Sequence, residues 1–289
     1  MLGKLLKHEF KSVGKVLAVV NLVIIIITFI GCIMLNLGVF DSTTGIFVAS
    51  FLITFYALSL AGFAFATLIY LYVRFYRNLF SAEGYLMHTL PVTSTQLFHS
   101  KLLVGYFWAV VNGLLIILSL VALGYAAIYH ASGSVNDIYI MQFFEENGML
   151  ISMVNGQEVR FSFHDIFGYT PVQFLLLIIV MQLIGSFSSL LMGYLSILLG
   201  QLVEKHKLGA AIGFYFAIYV GHQIISSIIM LLPNLRFIFL SAATETVSTN
   251  FLFDYFGGLF KGAIITQLVL GLIFYLVSFL LMRRKVNLD

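Results

Sequence analysis

The sequence predicts an all-α polytopic membrane protein with six transmembrane helices, and three observations carry that prediction. The 289 residues are 61% hydrophobic and only 9% charged, with a mean hydropathy of +1.05. A soluble domain carries roughly 25% charged residues because its surface must be solvated, so most of this surface faces something other than water. Six apolar stretches, 16–40, 45–73, 102–129, 171–200, 208–232 and 258–282, each exceed the roughly 20 residues a helix needs to cross about 30 Å of hydrocarbon. Lys and Arg are sorted between the connections in a way that one orientation satisfies. The same composition excludes a disordered chain, a disulfide scaffold (one Cys, Cys32) and a Pro-rich fibre (three Pro).

Residues 1–15 read as an amphipathic helix, with Leu2, Leu5, Leu6, Phe10 and Val13 at helical spacing and Lys4, Lys7, Lys11 and Lys15 at other positions. Such a helix is expected to lie at the membrane interface, apolar face down and drawn by anionic lipid. The plainer reading is a positive anchor for the first span. The apolar run after it is far longer than the 7–15 residues of a signal-peptide core and has no A-x-A-like site behind it, which predicts a retained first span. With both termini in the cytoplasm, Lys4, Lys7, Lys11, Lys15, Arg74, Arg77, Lys101, Lys205, Lys207, Arg283, Arg284 and Lys285 lie inside, and only Arg160, Arg236 and Lys261 outside. The expected location is the plasma membrane. Among the acids, Glu9, Glu83, Glu204 and Asp289 are inside, so the formal net charge of +3 conceals a basic inner face and an acidic outer one.

The inner connection 74–101 is too patterned for a plain loop. Ser81 is an N-cap candidate for a short helix that Pro91 stops, since proline disfavours helix in the residue before it. Thr93 and Gln96 form a T-x-x-Q capping box that opens the next helix. Tyr85, Leu86, Met87 and Leu90 leave this short helix apolar, with Glu83 as almost its only charge, and such a surface is expected to dock against another protein. In the outer segment 130–170, LISMVNGQEVRFSF alternates on both sides of Asn155–Gly156, the strongest short-range hairpin signal, and a short helix is expected near 137–146. The outer segment 233–257 is long and aromatic.

Catalytic patterns are missing from the sequence. The two Gly-Lys pairs, Gly3-Lys4 and Gly14-Lys15, lack the rest of a phosphate-binding G-x-x-x-x-G-K-[ST] loop. No H-E-x-x-H occurs, and Cys32 has no His in its span to activate it. Glu204-Lys205-His206-Lys207 reads as a charged turn. Within the spans, His222, Gln223, Ser226 and Gln182 are the candidates for lining a pathway, although a lone His bonded to a neighbouring helix is the commoner outcome. Lys261, at the outer end of the last stretch, is the one Asp, Glu, Lys or Arg in the six apolar stretches, and none lies at mid-membrane. Ion-coupled carriers place such groups near the midplane, so secondary transport is disfavoured and an external energy source favoured. Small residues recur at Gly105, Ala109 and Gly113, at Gly185, Ser189 and Gly193, and at Gly209, Gly213, Ala217 and Gly221, a spacing that lets helices approach closely in lipid.

The opening MLGKLLKHEFK, six spans with both ends inside, and the connection EGYLMHTLPVTSTQL followed by SKLL together resemble the permease subunits of ABC-2 type ATP-binding cassette transporters, in particular the small six-span permeases of Gram-positive bacteria. The resemblance covers the whole chain in topology and is specific over about 74–103. It implies one ABC-2 type transmembrane domain over 1–289, with a coupling helix in 74–101 and a re-entrant element in 233–257. It further implies that Ser81, Glu83, Gly84, Tyr85, Leu86, His88, Leu90 and Pro91 face a separate ATPase subunit. The chain would then be no enzyme by itself, with no catalytic, cofactor or metal residues of its own, ATP and Mg being held by that ATPase. The implied partners are the ATPase, a second permease, identical or not, and membrane lipids, with no nucleic acid. An apolar pathway suits an amphipathic or lipid-like cargo such as an antimicrobial peptide, moved outward. The segment 130–170 is longer than in the simplest relatives. Two other readings stand beside this one: a non-transporting immunity or sensor protein that binds peptides at its external loop, and a passive channel.

Overall fold

The computed structural model describes residues 2–36, 43–80, 93–131, 149–154, 157–162, 169–243 and 250–284. Among them the chain forms α1 (Leu2–Asn36), α2 (Thr43–Phe80), α3 (Ser94–Ala131), β1 (Met149–Val154), β2 (Gln157–Ser162), α4 (Pro171–Gly200), α5 (Lys207–Ala243) and α6 (Asn250–Arg284). Each of these six helices carries a stretch long and apolar enough to cross a membrane. Their outward faces are aromatic and aliphatic, with Phe47 at 71% and Phe29 at 65% exposure, surfaces that water would not tolerate at this extent. The protein is a multi-pass membrane protein.

Two helix starts follow from reciprocal caps. At α3, Gln96 N–H donates to Thr93 Oγ1 (3.3 Å) and Thr93 N–H to Gln96 Oε1 (3.4 Å), the expected capping box. The same device opens α4, where Thr170 and Gln173 exchange bonds of 3.1 and 3.3 Å around Pro171 at the first helical position.

The described residues divide into two compact units. The first contains α1, α2, α3, the end of α4 from Ser189, the start of α5 to Tyr215 and the end of α6 from Ile273. Here α1 packs chiefly along α3, burying Val13, Leu17 and Ile24 and setting Phe10 edge-on to Phe107 with ring centroids 5.1 Å apart. The separate interface helix expected over 1–15 is therefore not formed. Residues 2–15 are the first turns of one unbroken helix, and of the apolar stripe assigned to lipid, Phe10 and Val13 pack on α3. No proline interrupts the backbone ladder there, and a helix can turn into the membrane plane only by breaking that ladder. Lys4, Lys7, His8, Lys11 and Lys15 are exposed, on the face opposite Glu9, Val13 and Leu17 by helical spacing.

The second unit contains β1, β2, α4 to Ser188, α5 from Phe216 and α6 to Leu272. Tyr169 and Phe174 close edge-on against Phe260, at 6.3 and 5.6 Å between centroids. The strands pair antiparallel, with Met149 opposite Ser162 and Val154 opposite Gln157, around positions 155–156. Residues 155–156 themselves, and the short helix expected at 137–146, lie outside the described residues.

The re-entrant element expected over 233–257 is not a distinct element among the described residues. Helix α5 continues through Pro233 to Ala243, and α6 begins at Asn250. An interior proline removes one hydrogen bond and crowds the preceding turn, but long membrane helices tolerate it because neighbouring groups re-satisfy the backbone. The coupling segment 81–92 also lies outside the described residues.

Candidate functional site

The first unit buries an ionic cluster that joins three helices. Glu9 of α1 is 2% exposed, and each of its carboxylate oxygens has a different cationic partner. Oε2 accepts from Arg74 of α2, at 3.2 Å from Nη2 and 3.4 Å from Nε, and Oε1 accepts from Nζ of Lys101 of α3. The Lys101 side chain is 3% exposed and that of Arg74 19%. An ion taken out of water costs several kcal/mol unless it is paired and hydrogen-bonded. Here one carboxylate serves two cations, and the cluster retains a net positive charge.

Packing fixes the cluster in place. Val13, Leu71, Phe75, Val104, Gly105 and Tyr194 wall it. The Tyr194 ring stacks on Phe75 with centroids 3.9 Å apart, and its hydroxyl donates to the Lys101 carbonyl at 3.4 Å. Position 105 has to be glycine, since an added Cβ would stand 2.7 Å from Tyr194 Oη and 3.2 Å from Leu190. One turn back along α2, Tyr72 lies across Gly193 and donates to the Ser189 carbonyl at 2.6 Å. Farther along the helices, Asn112 Nδ2 donates to Asn21 Oδ1 at 2.9 Å, and Thr28 Oγ1 lies 3.2 Å from Tyr56 Oη. Helix α1 is thus cross-linked by polar side chains to α3 at two levels and to α2 at two.

None of the described residues singled out from the sequence as site candidates belongs to this cluster. The coupling-interface residues Ser81, Glu83, Gly84, Tyr85, Leu86, His88, Leu90 and Pro91 lie outside the described residues, although Arg74 and Lys101 are on the helices that lead into and out of them. The pathway candidates are in the second unit. Gln182 donates to Ser186 Oγ one turn onward in its own helix (2.9 Å), Gln223 is exposed, and His222 is half-buried. The Ser226 hydroxyl is buried with no hydrogen-bond partner. No residue in the most apolar window of α5 is buried as a whole. Among the described residues no three His, Cys, Asp or Glu side chains cluster as metal ligands would.

The sequence did carry a signal for the cluster. Glu9, Val13 and Leu17 follow each other at i, i+4 and i+8, which puts an acid in line with the buried stripe of α1. The two cations are far away in sequence and look like ordinary inner-face charges. Neither a known family, nor a curated protein, nor a solved structure matches the chain.

Proposed function

We propose that this chain is the membrane-spanning permease subunit of an ATP-driven exporter of the ABC-2 type, in the plasma membrane with both termini cytoplasmic. A separate ATPase would dock on the connection between α2 and α3 and drive an amphipathic or lipid-like cargo outward, with two permeases working together. The observation that carries this reading is the connection Ser81 to Pro91. It is an apolar, nearly uncharged segment between two long helices, where a solvated loop would be polar. The absence of Asp, Glu, Lys and Arg from the middle of the six apolar stretches, whose single such residue is Lys261 near an outer end, supports it, because an ion-coupled carrier would place such a group at mid-depth.

The test is co-expression with an ATPase encoded beside this chain. The complex should copurify, and the permease should raise ATP turnover. Glu83→Ala and Tyr85→Ala should leave the permease folded and abolish that rise. The reading is abandoned if the two chains do not associate, or if both variants stimulate hydrolysis as the native chain does.

A further inference from the structure

Docking at 81–92 explains how force would enter the protein but leaves Glu9 without a role. We infer that Glu9 is a positioning residue that ties both stems of that connection to the first turns of α1, so that a displacement of the loop is delivered to α1. The inference rests on the permease reading above.

Three observations support it. The carboxylate is divided between the stems: one oxygen holds Arg74, about two turns before α2 ends at Phe80, and the other holds Lys101, about two turns after α3 starts at Ser94. The bonds are shielded, with Glu9 and Lys101 almost wholly buried and Tyr194 packed over them. Exposed pairs are screened by salt and contribute little, which is not the situation here. Finally, α1 runs unbroken from Leu2 to Asn36, and its bonds to Asn112 and Tyr56 repeat the attachment deeper along the same helices. A push on the stems therefore meets α1 at its base and is carried along a continuous rod.

The test uses the full-length chain in lipid nanodiscs, with Cys32→Ser to remove the single cysteine. Spin labels at Lys11→Cys and Val73→Cys report the α1–α2 separation, and labels at Lys11→Cys and Leu103→Cys report α1–α3; all three positions are exposed. The native protein should give one narrow distance for each pair. Glu9→Gln should broaden both or add a longer distance, and Glu9→Asp should restore the narrow ones. Arg74→Gln should release only the α1–α2 distance, which keeps the test alive if Glu9→Gln does not fold. In the complex with the ATPase, Glu9→Gln should copurify normally yet lose about tenfold of the permease-stimulated ATP turnover, a size within the usual range of coupling between sites. A purely structural Glu9 would instead lower the yield of folded complex and leave turnover per complex unchanged. Unchanged distances in Glu9→Gln, or unchanged turnover per complex, overturn the inference. If the native chains do not associate, the permease reading fails by itself, and the distances alone then decide whether Glu9 holds the stems.

Discussion

Replacing Gly193 with alanine should destabilise the protein, whereas the same change at Gly213 should not, although both glycines lie in stripes of small residues. At Gly193 a new Cβ would stand 2.6 Å from Tyr72 Cδ1 and nearer still to two other ring carbons, where ordinary contact begins at 3.4 Å. The ring has to retreat by about 1 Å, and forcing a methyl into a packed seam costs about 1–3 kcal/mol. Retreat also weakens the 2.6 Å bond from Tyr72 to the Ser189 carbonyl, worth about 1 kcal/mol. Against this stands the gain of about 1 kcal/mol when glycine becomes alanine inside a helix. The net expectation is a loss of about 2 kcal/mol for Gly193→Ala. Gly213 has nothing within 4 Å of its would-be Cβ, so only the helix gain remains. Both variants can be titrated with SDS in mixed micelles, following helical circular dichroism together with the fluorescence of Trp108, the single tryptophan, whose ring lies against Gly14 in the α1–α3 seam. Adding Tyr72→Leu to Gly193→Ala should recover most of the loss, because contacting sites are not additive. The reasoning is refuted if Gly193→Ala unfolds at or above the native SDS midpoint, or if Gly213→Ala loses as much.

Other expectations follow from the buried polar contacts. Lys101→Met leaves Glu9 with Arg74 alone and should cost about 3 kcal/mol, most of it returned when Glu9→Gln is added, since the penalty is that of a stranded buried charge; the SDS midpoints of the single and double variants measure it. Asn112→Ala should cost about 1 kcal/mol, the usual scale of a hydrogen bond between membrane helices, and Asn21→Ala in the same background should add little. Thr170→Ala removes half of a capping box and should cost about 1 kcal/mol, with loss of amide-exchange protection confined to the first turn of α4.

Legibility in the sequence tracked how local the determining physics is. The bounds of α4 at 171–200 could be read directly, because Pro171 opens a continuous apolar run and Gly200 ends it. The Thr93–Gln96 box was readable for the same reason, and the Thr170–Gln173 box carries an identical T-x-x-Q signal. Residues 2–15 misled because an amphipathic stripe has the same spacing whether it meets lipid or another helix. Only the partner Phe107 on α3 distinguishes the two. The separate element over 233–257 was expected by resemblance, whereas α5 runs through Pro233 to Ala243, an interior proline that a long membrane helix tolerates. Glu9, Arg74 and Lys101 were visible singly, but their meeting depends on how three helices align. The small-residue stripes were half informative: Gly105 and Gly193 lie under tyrosines, whereas Gly213 and Gly221 face open space.

The ionic cluster also bears on how the chain is made. Glu9 emerges from the ribosome first, Arg74 next and Lys101 last of the three, with α4, α5 and α6 still unsynthesised. Until α3 arrives, an acid and an arginine at the membrane boundary lack their full set of contacts. Arrival of Lys101 supplies the third ion, while the ring of Tyr194 that packs over the cluster comes later still, with α4. The cluster is therefore completed in chain order, the acid first, its two cations next and its aromatic cover last.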